Sequence, residues 1–217
     1  MKKFLFLTPV LLFLFYCGSG SGDAFLFVEG LANHQNTFSN VKLYTEKTNR
    51  FDNSTPLYTT YFYISVNTIK LKAAGKDWVV VKEDSYSFEQ ELVRGANIVN
   101  GTTIPAYDYN IVLIGYKANW WIKATNSDGI SYSLTNSTSS DTKYAIFYNY
   151  KPAYDEISNQ YPDAASIYVS SQFSLFSGDS KWIYLYFDTE QIAFVFKNDG
   201  GGIDNYFTPP TLSIEFR

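Results

Sequence analysis

From Ala24 onward, apolar residues recur mostly at a spacing of two, and β-branched and aromatic side chains dominate the runs they form. Successive side chains of a strand point to opposite faces, so this period fits a pleated, half-buried sheet and not a helix. It predicts strands over Ala24 to Glu29, Asn40 to Thr45, Thr59 to Lys72, Trp78 to Lys82, Tyr107 to Lys117, Trp120 to Thr125, Ile130 to Leu134, Lys143 to Tyr150, Ser166 to Phe173, Trp182 to Phe187, Ile192 to Lys197 and Thr211 to Phe216. Two stretches compete as helices. Phe88 to Ile98 predicts one turn or two, and Asp155 to Gln160 another, with Pro162 close behind as a stop.

The turn chemistry agrees. Asn126-Ser127-Asp128-Gly129 separates WWIKAT from ISYSL, and an Asp-Gly between alternating segments is a hairpin signal. KAAGKD (residues 72–77) makes a similar loop before WVVVK, and Ser177-Gly178-Asp179 precedes Trp182. Many short strands without long intervening helices point to an all-β antiparallel sandwich or barrel. With 46% hydrophobic and 19% aromatic residues in 217, the chain can sustain its own core. No fixed-period repeat or interior linker divides residues 24–217, which read as a single domain.

Charge and residue inventory narrow the chemistry. Lys and Arg number 17 against 21 Asp and Glu, a formal net charge of -4, which leaves no electrostatic footprint for nucleic acid. One Cys permits no intrachain disulfide and no Cys-based zinc site. With one His, a Ser-His-Asp triad would have to be built on His34, which lies in the polar loop sequence ANHQN; neither a GxSxG elbow nor an HExxH pattern occurs. His34 therefore reads as a solvated loop residue.

The first 17 residues, MKKFLFLTPVLLFLFYC, place Lys2 and Lys3 before an apolar stretch from Phe4 to Tyr16. Residues 1–16 read as a signal peptide, because a helix that crosses a bilayer needs about 20 apolar residues and this stretch is shorter. Cys17 follows at once, and residues 17–23 continue as a Gly/Ser tether. This arrangement resembles the bacterial lipoproteins. The resemblance implies cleavage before Cys17, a diacylglycerol on its thiol and, in most cases, acylation of the new amine. Leu14 matches the family's Leu three positions before the Cys, whereas Phe15 and Tyr16 depart from its usual small residues. Gly18 after the Cys goes, in such families, with delivery to the outer membrane. The alternative is a secreted chain cut within Gly18 to Gly22, with Cys17 discarded. Two or more acyl chains would anchor the protein stably, whereas the acidic body by itself would be repelled by anionic lipid.

The order of segments is similar to a family of uncharacterised bacterial surface lipoproteins with a prealbumin-like β-sandwich domain. The segments that carry it are YFYISVNTIKLK, then WVVV, FEQELVRGAN, IPAYDYNIVLIGY and WIYLYFDTEQIAFVF, with Asp108 standing before Tyr109 where the family has a Gly. The resemblance implies a prealbumin- or immunoglobulin-like sandwich on the cell surface, with no established enzymatic activity.

Candidate sites are few. Asp155-Glu156, Glu83-Asp84 and Asp188 with Glu190 are the closest carboxylate pairs, but adjacent acids in a strand point to opposite faces, a poor geometry for glycoside hydrolysis. NDGGGIDN gathers Asp199 and Asp204 around three glycines as a weak calcium candidate without the spacing of a calcium-binding hand. No other metal and no cofactor is indicated. Asn53, Asn100 and Asn136 begin Asn-X-Ser/Thr triplets that read as polar surface loops.

Aromatic residues are the richest signal. In a strand, one of Trp120 and Trp121 faces the core and the other faces outward, where Tyr132 across the hairpin, with Tyr116 or Tyr109, would complete a platform for a sugar ring or a partner protein. Tyr144, Phe147, Tyr148 and Tyr150 put aromatics on both faces of one strand, as in a strand covered on both sides or an edge meant for contact. The sequence-level expectation is thus a lipid-anchored, non-catalytic binding or structural module of the bacterial envelope, with a protein or glycan ligand. A lipocalin-like barrel carrying an apolar ligand and a carbohydrate-binding module are the alternatives.

Overall fold

In a computed structural model, the described residues are 22–32, 40–45, 50–84, 90–125, 129, 131–136, 141–189, 193–196, 203–204 and 211–217. In chain order the strands are β1 (Asp23–Ala32), β2 (Asn40–Thr45), β3 (Arg50–Ala73), β4 (Val79–Glu83), β5 (Gln90–Glu91), β6 (Ala96–Pro105), β7 (Asp108–Thr125), β8 (Ser131–Asn136) and β9 (Thr142–Tyr148). After the short helix α1 (Lys151–Asp155) and a 3-10 turn at Ser158–Gln160 come β10 (Ala165–Tyr168), β11 (Phe173–Ser174), β12 (Ser180–Asp188), β13 (Ala193–Phe196), β14 (Ile203–Asp204) and β15 (Thr211–Phe216). Residues 1–16, read above as a signal peptide, Cys17, most of the expected tether and His34 lie outside the described residues.

Two open sheets face each other. The smaller runs β15-β12-β1-β6, and the larger runs β10-β9-β7-β3-β2-β13-β14, with β4 and β5 added to β3 and with β8 and β11 added to β7. This is the expected all-β sandwich, and among the described residues neither sheet closes on itself as a lipocalin-like barrel would. The sheets are mixed, however: β1 with β12, β9 with β10 and β2 with β13 are parallel ladders. Alternation reports which face a residue occupies and is silent on strand direction, so these pairings left no trace in the pattern.

β3 and β7 are the long members and form the spine. They pair antiparallel from Tyr58↔Thr125 to Ala73↔Tyr109, interrupted by several bulges. The bulge between Val66 and Thr68 inserts one residue and reverses the parity of β3, so that Phe62, Ile64 and Val66 face the core before it and Ile69, Leu71 and Ala73 after it. Opposite them, Leu26 and Val28 of β1 and Ile183, Leu185 and Phe187 of β12 fill the space between the sheets. The sandwich interior is thus occupied by packed side chains, with Phe62 touching Trp120 and Phe187 at centroid distances of 6.0 and 6.1 Å.

The larger sheet is buried on its second face too. Ile111, Leu113 and Ile146 point away from the main core and are covered by Ala153 and Ile157 of the segment that follows β9. Tyr148 stacks on Tyr154 at 4.5 Å, and Tyr144 packs on Tyr161 at 5.2 Å, while Phe147 turns inward. Of the two arrangements open to the aromatics of β9, the chain adopts the strand covered on both sides.

Both helical expectations shift. FEQELVRGANI is not helical where it is described: Gln90 and Glu91 pair with β3, Gly95 turns at φ 81, and Ala96 opens β6. The hydrophobic and long-chain residues of that segment suit either state, and the pairing partners decide it. The second helix starts earlier than expected, at Lys151, because Pro152 sits in its first turn, where a missing N–H costs nothing. Tyr107 to Lys117 and Trp120 to Thr125 fall, apart from Tyr107, in one strand, β7, since the backbone stays extended through Ala118 and Asn119 between the two paired stretches. Asn53, Asn100 and Asn136 lie within strands β3, β6 and β8, not in loops.

Candidate binding surfaces

Trp120 and Trp121 divide as their adjacency predicts. Trp120 is buried against Phe62, and Trp121 is half-buried on the outer face of the larger sheet. The companions of Trp121 are not those expected from the hairpin. The β7–β8 ladder sets Trp121 opposite Thr135, and Tyr132 opposite Ala124, a position with the parity of Trp120. Tyr116 meets Phe187 edge-on in the core, and burial raises its pKa. Tyr109 is buried as well; its hydroxyl donates to the Pro105 carbonyl at 2.7 Å.

The rings that join Trp121 come from β3 instead. Tyr63 is its direct cross-strand neighbour, with centroids 5.0 Å apart, and Tyr61 lies 6.3 Å from both. Their planes differ by 17° to 44°, so the three rings tile one patch. Two cations stand at its border: the Arg94 guanidinium lies 5.5 Å from the Tyr61 centroid and the Lys123 ammonium 5.8 Å. YTTYFYIS shows Tyr61 and Tyr63 on one strand face, but only the β3–β7 register shows that this face is that of Trp121.

A second aromatic row covers the outer face of the smaller sheet. Phe27 stacks on Trp182 at 4.6 Å, followed by Tyr184 at 6.0 Å and Tyr186 at 6.4 Å from its neighbour. Arg217 lies 5.0 Å over Tyr184 and its Nε donates to Glu215 at 2.8 Å, while the Tyr186 hydroxyl donates to the other Glu215 oxygen at 3.0 Å. At 4.6 Å, Phe27 and Trp182 overlap face to face, so these rings spend their faces on each other. Phe27 and Trp182 therefore have less ring face left for a ligand than Tyr63 and Trp121, whose centroids are 5.0 Å apart and whose planes are inclined at 44°.

The carboxylate pairs are tied to lysines. Glu83 meets Lys70 at 2.5 Å, Asp84 meets Lys82, Asp155 meets Lys151 at 2.5 Å and Glu156 lies 3.8 Å from Lys72. Asp188 ends β12, and Glu190 lies outside the described residues. Of the calcium candidates, Asp204 is in β14, paired with Val195, and Asp199 lies outside the described residues. Among the described residues no group of three or more His, Cys, Asp or Glu is placed to hold a metal ion. Nor is any helix among them long and apolar enough to cross a membrane.

No family model matches the chain, and comparison with curated proteins and with solved structures finds no match to it.

Proposed function

We propose that this protein is a non-catalytic binding module held at a bacterial envelope membrane by lipid on Cys17. The observation that carries the binding role is the patch of Tyr61, Tyr63 and Trp121 with Arg94 and Lys123 at its border. Aromatic rings presented on a rigid sheet bind the flat faces of sugars or the apolar side chains of a partner at little entropic cost. The anchoring role rests on the basic, apolar and cysteine segments of residues 1–17.

Two measurements test the two halves. Intact mass and detergent partitioning of the mature protein should find a chain that begins at Cys17 and carries acyl groups. A chain beginning between Ser19 and Asp23, without added mass, removes the anchor. For the patch, tryptophan fluorescence should respond to at least one member of a panel of envelope and host glycans, and Trp121→Ala should abolish that response. Silence across the panel in both proteins removes the carbohydrate reading and leaves a protein partner.

A further inference from the structure

We propose that the end of the sandwich where the chain enters β1 rests on the bilayer, with Phe25 and Phe176 seated at the boundary between head groups and acyl chains. The proposal builds on the lipid attachment at Cys17 and adds a second contact that fixes how the domain stands on the membrane.

Five large apolar side chains among the described residues are strongly exposed: Phe176 at 69%, Tyr168 at 63%, Val80 at 51%, and Phe25 and Tyr150 at 48%. Four of them lie at one end. Phe25 is the third residue of β1, and its N–H donates to Asp179 at the close of the turn that carries Phe176. The same end holds the start of β7, since the N–H of Ala106 donates to the Gly22 carbonyl and the N–H of Leu175 to Tyr107. β9 runs antiparallel to β7 and so finishes here, placing Tyr150 just beyond it, and β10 runs parallel to β9 and ends at Tyr168.

It is also the end nearest the anchor. Five residues, Gly18 to Gly22, separate Cys17 from Asp23, and the six steps of a Gly/Ser-rich chain between them have an end-to-end distance of about 13 Å. Acyl chains at Cys17 would hold this end, and no other, within reach of the lipid. Phenylalanine and tyrosine are suited to that zone, where amphipathic and apolar rings bury about 5–10 Å into the boundary. Lys76, Lys151 and Arg217 stand at this end with Asp23, Asp77, Asp108, Asp155 and Asp179, so acids outnumber bases and an anionic lipid surface would be repelled. A zwitterionic surface is the occupant that this mixture of charge accepts.

The test uses the mature, acylated protein bound to phosphatidylcholine vesicles. Gln172→Cys, exposed at the proposed contact end, and Thr211→Cys, exposed at the opposite end of β15, each provide one thiol for an environment-sensitive dye, because the native thiol is alkylated by lipid. With brominated acyl chains, emission from position 172 should fall about twofold relative to position 211, as for a group at the lipid boundary. The Phe25→Ser/Phe176→Ser double variant should lose this difference while still floating with the vesicles. Equal emission at the two positions in floating protein overturns the contact and leaves the anchor standing, and retention of the difference in the double variant overturns the role of the two rings. A protein without acyl mass that fails to float overturns both.

Discussion

Tyr63 and Trp121 face each other directly across the β3–β7 ladder, their ring centroids 5.0 Å apart and their planes inclined at 44°. The two residues are 58 positions apart in sequence, and each is half-buried, so the pair both stabilises the sheet and presents an aromatic surface. Cross-strand aromatic pairs of this kind contribute about 0.5–1.5 kcal/mol beyond area burial. A double-mutant cycle of Tyr63→Ala and Trp121→Ala, read by urea unfolding, should return a coupling in that range. Additive losses would mean that the rings are neighbours without interacting.

Burial separates the phenylalanines into two populations. Phe62 is fully buried between Trp120 and Phe187, and Phe62→Ala should cost about 3–5 kcal/mol, since the flanking strands cannot collapse onto the void. Phe176, at 69% exposure, should change stability by no more than about 0.5 kcal/mol when replaced by Ala. Denaturant midpoints of the two variants check both statements, and the second also shows that the membrane contact can be removed without unfolding the domain.

The sequence announced the strands wherever one face was apolar: β2 and β15 occupy the expected spans, and Trp120 and Trp121 lie on opposite faces as expected. β6 escaped because ANIVNGTTIP contains a sequon and a Gly, both turn-like, yet Gly101 sits at φ 70 against the Phe27 ring in the irregular part of the β1–β6 ladder. Positive φ at a Gly inside a strand marks a bulge, and a single sequence cannot distinguish it from a loop. The candidate site was half legible for a related reason. Local spacing showed that one of Trp120 and Trp121 points outward, but that it is Trp121, and that its companions are Tyr61 and Tyr63, is set by a register that passes through bulges near Tyr61, Val66 and Ala73. A one-residue bulge flips the face of the residues beyond it on the strand that carries the extra residue, so neighbours across β3 and β7 follow from the pairing and not from the period.

Gly115 illustrates how tightly the spine is packed. A Cβ there would lie 2.8 Å from Thr68 Cβ on the opposite strand and 3.0 Å from a ring carbon of Tyr144, which is itself held against Tyr161. Replacing Gly by Ala in an accommodating site gains about 0.4–1 kcal/mol through the unfolded chain. Here the overpacking outweighs that gain, and Gly115→Ala should destabilise the protein by about 1–3 kcal/mol. A rise in the thermal midpoint would show that β3 and β9 separate more easily than these distances imply.

Alkaline pH should loosen the sandwich through its buried tyrosines. Burial pushes the Tyr186 hydroxyl up to about 12, assisted by its hydrogen bond to Glu215, whose negative charge disfavours a phenolate beside it. Tyr109 is pushed above the ordinary tyrosine range by burial first and by Tyr107 second, and Tyr116 is raised by burial. A folded-state pKa above the unfolded value near 10 means that the unfolded chain releases protons first, so the stabilisation is complete below pH 10 and declines as pH rises toward 12. The unfolding free energy, followed by urea titration from pH 8 to pH 12, should therefore be flat to about pH 10 and then fall. Tyr186→Phe removes one of the groups responsible and should make the fall shallower, at the cost of the hydrogen bond to Glu215 at every pH. An unchanged slope in that variant would mean that the Tyr186 hydroxyl ionises in the folded protein as it does in the unfolded chain.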